Sequence, residues 1–317
     1  MDPFYLTQPA TWRTVKEPFD TATVKICDSR KDVIVLTADL ATYVDLFTLP
    51  KVNPRQFLNV GMAEQNLMSV AGGLAKAGLI PIATTFAVYA TRRAYDQMVI
   101  CMGTGSRGVV VGFTPGITSP ARIHHQSIDD LAMMRAVPNA CVIDPADATE
   151  FTAALWAALD YPGLVYMRGH RSVVPELFDP QGFEFKIGAT RLLLQDGGIG
   201  IVCTGHATQW ALEASEHLQR AGVKHSILHV PTLKPVDAAS VAGFCNGRRW
   251  IVTIENHNIV GGLGSLVAEV MAEQGTPAKL KRLGVPDAWA PGGSLNFIRG
   301  KLDLSPEQIA KTIGELA

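Results

Sequence analysis

Some side chains in this sequence stand where their type and setting invite chemistry. Glu64 is the single acid in "NVGMAEQNLMSVAGGLAKAG", residues 59 to 78. At helical spacing Ala63, Leu67, Val70, Ala71 and Leu74 form one apolar stripe, and Glu64 shares the next face with Met68, Ala71, Gly72 and Ala75. None of these can pair with a carboxylate, and burying one unpaired is costly. An acid in the first turn of a helix, favoured by the N–H groups and dipole there, is the plain account. A carboxyl kept for a ligand is the other. Asp39 closes the β-branched run "DVIVLTAD" (32–39), and His125 lies in "HHQ" (124–126). Two short basic runs, "RGHR" (168–171) and "GRRW" (247–250), fit a solvated surface or a single anion contact. "GGLGSLV" (261–267) invites a dinucleotide reading. It lacks the third glycine, since Val267 stands there, and no acid ends a strand about 20 residues on. A tight turn packing helix on sheet suits it better.

The elements that must position these groups alternate. "DVIVLTAD", "FLNV" (57–60), "LIPIATTF" (79–86), "GVVVGF" (108–113), "ACVID" (140–144) and "GLVYM" (163–167) read as strands. Helical stretches follow Glu64, follow residue 86 to about 102, and cover "SIDDLAMMRA" (127–136) and "DATEFTAALWAALD" (147–160). The last opens with a D-x-x-E capping pattern. Such alternation predicts an α/β fold with a doubly wound, mostly parallel sheet. The pattern lapses over 169–185, "GHRSVVPELFDPQGFEF", the natural linker. A second αβ series follows: "GIVCTG" (200–205), a helix over 207–221, "HSILHV" (225–230), "RWIVTIEN" (249–256), and a helix after the glycines. "SPEQIAKTIGEL" opens with serine then proline, as a helix should.

The 317 residues suffice for two domains. With 47% hydrophobic and 18% charged residues the chain is globular, and a net charge of −1 gives no reason to expect nucleic acid or an anionic membrane as partner. Five scattered cysteines without a C-x-x-C pair make neither a disulfide framework nor a zinc site. "MDPFYLTQPATWR" lacks the makings of a signal peptide, and no run approaches 18 apolar residues. A soluble, cytoplasmic protein is the expectation.

Six segments in order, "NVGMAEQN" (59–66), "TTFAVYATRRAYDQ" (84–97), "HHQSIDDLAMMRAVPN" (124–139), "VIDPAD" (142–147), "TLKPVD" (232–237) and "IENHNIVGGLGS" (255–265), resemble the C-terminal half of transketolase-like thiamine diphosphate enzymes. The resemblance implies a pyrimidine-binding domain over 1–180 and a smaller α/β transketolase C-terminal domain over 186–317. Glu64 then matches the glutamate that hydrogen-bonds the cofactor's aminopyrimidine nitrogen. There a carboxyl favours the imino tautomer, whose nitrogen can take the proton of the weakly acidic thiazolium carbon. Phe86 and Tyr89 match the aromatic pocket of the pyrimidine, Tyr89 as the stacking ring. His125 matches the histidine near the ketose C1 hydroxyl, and Arg168 the arginine that grips sugar phosphate. Asp39 has its counterpart close to the thiazolium, with helix capping as rival. Arg92 stands where an aromatic is common, either structural or reaching substrate.

The chain also departs from that family. An aspartate before the family's T-H-Q motif is missing from "TSPARIH" (118–124), and a phosphate-binding histidine is replaced near Phe113 and Thr114. Arg122 is then a candidate for an anionic or unusual acceptor. No G-D-G motif with following asparagines, the family's Mg²⁺ and diphosphate site, is present. The resemblance therefore implies a split enzyme. This chain brings the pyrimidine end, a partner N-terminal subunit holds Mg²⁺ and the diphosphate, the two assemble as a heterotetramer, and the substrates are sugars or sugar phosphates. Two rivals are the β-subunit of a 2-oxoacid dehydrogenase and a non-catalytic assembly chain.

Overall fold

The computed structural model describes residues 12–317. The stretch read as lacking a signal peptide falls, for residues 1–11, outside the described residues. Seven strands form the first sheet, in the order Thr232–Lys234, Cys141–Ile143, Leu164–Gly169, Gly108–Phe113, Ile80–Phe86, Val33–Thr37 and Phe57–Asn59. All neighbours are parallel except the first pair. Every residue of Ile80–Phe86, Gly108–Phe113 and Leu164–Gly169 is buried, as central parallel strands covered on both faces require. Alternation sends Leu36, Ala83, Val110 and Tyr166 into one core, and Val35, Ile82, Val109 and Val165 into the other. The sheet is doubly wound.

The five strands of the second sheet run in the order Lys279–Val285, Trp250–Asn258, Ile199–Cys203, His225–His229 and Arg191–Leu194, with only the last antiparallel. Its core gathers around Trp210, Ile201 and Ile254. Ser305 and Gln308 form a capping box on Pro306–Gly314. Among the described residues, no helix is long and apolar enough to cross a membrane. The five cysteines are free, four of them buried.

Three readings change. The segment taken as a linker is built structure: Val173–Glu176 pairs antiparallel with Arg13–Lys16. Thr232–Lys234 leaves the second half of the chain and closes the edge of the first sheet. The D-x-x-E pattern makes only half a capping box. Asp147 accepts from Glu150 N at 2.7 Å, but the Glu150 carboxylate turns to Ala146 N and to His229 Nε2, 2.8 and 2.7 Å away. The glycine turn is the packing device expected. Gly262 precedes Leu263–Glu273, whose first N–H groups donate to Glu255, from Leu263 at 2.7 Å and Gly264 at 2.8 Å. A Cβ on Gly262 would fall 2.0 Å from that carboxylate. The protein's own acid thus fills the anion position a helix start offers.

Candidate active site

The candidate site lies where open α/β sheets present ligand groups, outside the carboxyl ends of the strands. Register brings Phe86, Phe113 and Gly169 level across three neighbouring strands. The chain leaving each one supplies the wall residues.

Glu64 opens the helix Glu64–Lys76, after Ala63, which makes no side-chain cap. The residue is 3% exposed. It is not unpaired: Arg93 Nη1 donates to Glu64 Oε1 at 2.8 Å. The arginine side chain is half exposed. Its guanidinium also lies 4.2 Å from the centroid of the Tyr89 ring. Arg93 ends a wide π-turn, Tyr89–Arg93, closed by Ala94 N to Tyr89 O at 3.1 Å. Such turns recur at functional sites.

Phe86 and Tyr89 stack with centroids 5.6 Å apart at 25°. His125 packs on both rings, at 5.6 and 5.8 Å. Its Nε2 shares a proton with Tyr89 Oη at 3.1 Å, while Nδ1 is buried with no partner. Burial holds the imidazole below its ordinary pKa, and the charge of His124 adds to that. A buried nitrogen left open in this way is ready for an incoming hydroxyl.

His125 separates two openings. A cavity of about 540 Å³ is walled by Phe86, Thr114, Ser119, Arg171 and two further histidines, 170 and 206. A groove of about 570 Å³ on the other side has Tyr89, Arg92, Arg93 and His124. Thr114 is buried, its hydroxyl has no partner, and its φ is +54°. That conformation is strained for a β-branched residue, and strain of this kind collects at ligand sites.

Sequence and structure disagree most clearly at Arg168. It is 1% exposed and four of its five N–H donors are taken: Nη2 and Nε reach Asp130 at 2.6 and 2.8 Å, and Nη1 reaches Asp144 at 3.2 Å and Asn256 O at 3.1 Å. The guanidinium is buried between two carboxylates and is not part of the cavity wall, so this geometry lends no support to the phosphate contact that the resemblance implied for it. Arg171, three residues on, lines the cavity and makes no ion pair among the described residues, with its guanidinium 5.9 Å from the Tyr43 ring. Sequence reading passed over it, although "RGHR" contains both arginines.

The other arginines also sort themselves. Arg92 grips Asp129 with two bonds of 2.8 Å and donates to the carbonyls of Ile123 and Gln126, so it clamps the loop that carries His125. Its role is structural. Arg122 is exposed, beside Pro120 and Ala121 of the cavity wall but not itself in it. Its carbonyl accepts from His125 N at 2.9 Å and turns the loop. Asp39 caps no helix. It is exposed, has φ +56°, and pairs with Asn59 through two bonds of 3.0 and 3.1 Å at the carboxyl edge of the sheet.

The residues fit the flat, hydrogen-bonding half of the expected cofactor: a buried carboxylate, stacked aromatics, and a half-exposed cation beside both. Among the described residues no three His, Cys, Asp or Glu side chains gather closely enough to hold a metal ion.

The doubly wound sheet, the smaller α/β half and this edge site define a recognisable class. The pattern of the transketolase pyrimidine-binding domain matches residues 10–176, and that of the transketolase C-terminal domain matches 188–309. The chain belongs to the transketolase family. A putative transketolase family protein of Sinorhizobium fredii is 38% identical over 94% of this chain and 87% of its own length. The 6-deoxy-6-sulfo-D-fructose transketolase subunit of a Clostridium species is 33% identical, over 90% and 88%. A solved split-gene transketolase, an inactive β4 tetramer, superposes with a TM-score of 0.84 at 33% identity, covering 94% of this chain and 96% of that one. A Pichia stipitis transketolase shares the fold at 20% identity and a TM-score of 0.78, with only 47% of its length covered. Within the family, then, this is a C-terminal subunit of the split kind, and membership brings with it dependence on thiamine diphosphate.

Proposed function

We propose that the chain is the C-terminal subunit of a thiamine diphosphate-dependent transketolase that moves a two-carbon ketol unit from a ketose to an aldehyde. A partner subunit carrying the G-D-G motif completes the site and holds Mg²⁺ and the diphosphate. The observation that carries this reading is the convergence of buried Glu64, stacked Phe86 and Tyr89, and the open Nδ1 of His125 at one sheet edge.

In this reading Glu64 would share a proton with the ring nitrogen of the aminopyrimidine, and the Tyr89 face over which Arg93 lies would receive the heterocycle. When bound, thiamine diphosphate would supply a nucleophilic thiazolium carbon for the ketol transfer. His125, kept neutral by burial, holds the substrate hydroxyl next to the reacting carbon and can relay its proton. Arg171 supplies the cation for an anionic end of the sugar, in the role Arg168 does not fill. The relatives support an anionic end: one is named for a sulfo-sugar and another for apulose 4-phosphate. Asp39 and Asn59 border the cofactor side. Self-association into a heterotetramer agrees with the β4 assembly of the solved relative.

Co-expression with the partner subunit tests the proposal. The complex should transfer a ketol unit between ketose and aldehyde only with Mg²⁺ and thiamine diphosphate added, and should fail to reduce a dye with 2-oxoacids. Tight binding of Mg²⁺–thiamine diphosphate by this chain alone, followed by calorimetry, would overturn the division of labour.

A further inference from the structure

The cavity that begins at His125 ends on a pair of imidazoles, and one of them comes from the second half of the chain. His170 follows the strand Leu164–Gly169, and His206 precedes the helix Ala207–Arg220. Their ring centroids are 5.7 Å apart. Gly205 seats the second histidine against the first half. Its N–H donates to Asp144 O at 3.0 Å, its φ is +54°, and a Cβ there would lie 2.1 Å from Asp144 Oδ1. The edge of the Trp210 ring, 5.8 Å away at 90°, fixes the plane of His206.

Neither ring is used up by the protein. His170 Nε2 donates to Pro145 O at 2.7 Å, which leaves Nδ1 as an acceptor. Among the described residues His206 makes no hydrogen bond through either nitrogen, and both residues line the cavity. Burial holds both below the ordinary histidine pKa. His206 goes down to about 3, with the charges of His170 and Arg299 adding to the effect. A neutral imidazole offers one donor and one acceptor. That is the complement of a hydroxyl group and a poor match for a second negative charge beside Arg171.

We propose that His170 and His206 form a subsite for the distal hydroxyl groups of the sugar, so that the C-terminal domain sets, through His206, the length of sugar the enzyme takes. This rests on the transketolase reading above. A sugar whose reacting carbon lies at His125 has its tail in the same cavity. On this proposal a two-carbon aldehyde gains nothing from the imidazoles, whereas a four- or five-carbon one does.

The test uses the reconstituted complex with hydroxypyruvate as ketol donor and glycolaldehyde, erythrose or ribose as acceptor. The readout is the ratio of kcat/KM for ribose to that for glycolaldehyde. His206→Ala should lower this ratio about five- to tenfold, the effect of one lost hydrogen bond or slightly more, mainly through KM for ribose. His206→Gln, which can still donate and accept, should recover part of it. Incomplete folding of a variant does not move the ratio, because both acceptors are turned over by the same folded fraction. An unchanged ratio in both variants overturns the inference and leaves the transketolase reading standing. Absence of ketol transfer to every aldehyde by the unaltered complex overturns both.

Discussion

Two arginine–carboxylate sites stand at the carboxyl edge of the same sheet and differ in every physical respect that matters. At Arg168 the guanidinium and both carboxylates are sealed from water, and bonds to Asp130, Asp144 and Asn256 take four of its five N–H donors. Tyr166 Oη adds a 2.7 Å bond to Asp130. At Glu64 the carboxylate is buried, but its partner Arg93 is half in solvent and holds it by a single hydrogen bond over an aromatic face. The histidines divide in the same way. His229 is saturated by Thr208 and Glu150, whereas His125 keeps Nδ1 open. Among the described residues the nitrogens of Arg168 and His229 that join the two halves are all engaged, although Asp144 Oδ1 and Glu150 Oε1 beside them have no partner; His125 keeps a nitrogen open and Arg93 stays half in solvent. Residue type and motif do not separate these cases, and the burial and bonding of the cation or imidazole do.

The strongest way to break that comparison is to remove Arg168. Arg168→Met leaves Asp130 and Asp144 buried without their cation, and such a loss costs about 3–5 kcal/mol. Urea denaturation of the chain should show a destabilisation of that size. A variant as stable as the parent but selectively weak toward phosphorylated sugars would return Arg168 to the substrate. Glu64→Gln should do the opposite. It should cost the reconstituted complex about 100-fold or more in turnover and less than about 1 kcal/mol in stability, because the amide still fills the space and bonds Arg93. Near-parental turnover would remove Glu64 from the chemistry.

The His229–Glu150 pair sharpens the comparison through pH. Burial pulls His229 down, but the adjoining Glu150 carboxylate more than reverses this and lifts it to about 10. A folded-state pKa above the unfolded value means the stabilisation is complete below about pH 6.5 and is lost as pH rises toward 10. Glu150 is held below its ordinary pKa, although burial alone would raise it, so its share is present above about 4.5 and fails on further acidification. Denaturation midpoints should therefore fall between pH 6.5 and 10 in the parent. His229→Gln should fall less steeply over that range. Equal slopes would mean that the pair carries no linked proton.

Much of this was legible in the sequence, and what escaped did so for physical reasons. The alternation of apolar runs and helices gave the doubly wound sheet because central parallel strands must be apolar throughout. Glu64 stood out because an acid among alanines and glycines has no local partner. Its actual partner, Arg93, is 29 residues away, and the π-turn that aims it adds a residue that no 3.6-residue pattern announces. The burial of Arg168, and the place of Arg171 on the cavity wall, had a signal in the sequence. In a strand, residues two apart share a face, so Arg168 points with Tyr166 into the core and both meet Asp130. Arg171 lies beyond the strand end and is released toward the cavity. The crossing of Thr232–Lys234 to the first sheet depends on long-range packing, which a three-residue strand cannot encode locally.

The smallest effect is expected at Arg93, and it tests the comparison most finely. Arg93→Met also takes a cation from a buried carboxylate, so burial of Glu64 alone would predict a loss like that of Arg168. The two differ in what replaces the cation. Arg93 borders an open groove, and water can follow its head group to Glu64; no such path reaches Asp130, which is fully buried. A half-exposed pair and its ring contact are each worth up to about 1 kcal/mol, and the methionine keeps part of the packing on Tyr89. The expected destabilisation is therefore about 1 kcal/mol or less by urea titration. Freed of the side chain that competes for both Glu64 and the Tyr89 face, the reconstituted complex should bind thiamine diphosphate as tightly as the parent or a few-fold tighter, measured by tryptophan quenching. A drop in stability matching Arg168→Met would erase the distinction between the two sites, and a tenfold weaker cofactor would make Arg93 a ligand group instead of a placeholder.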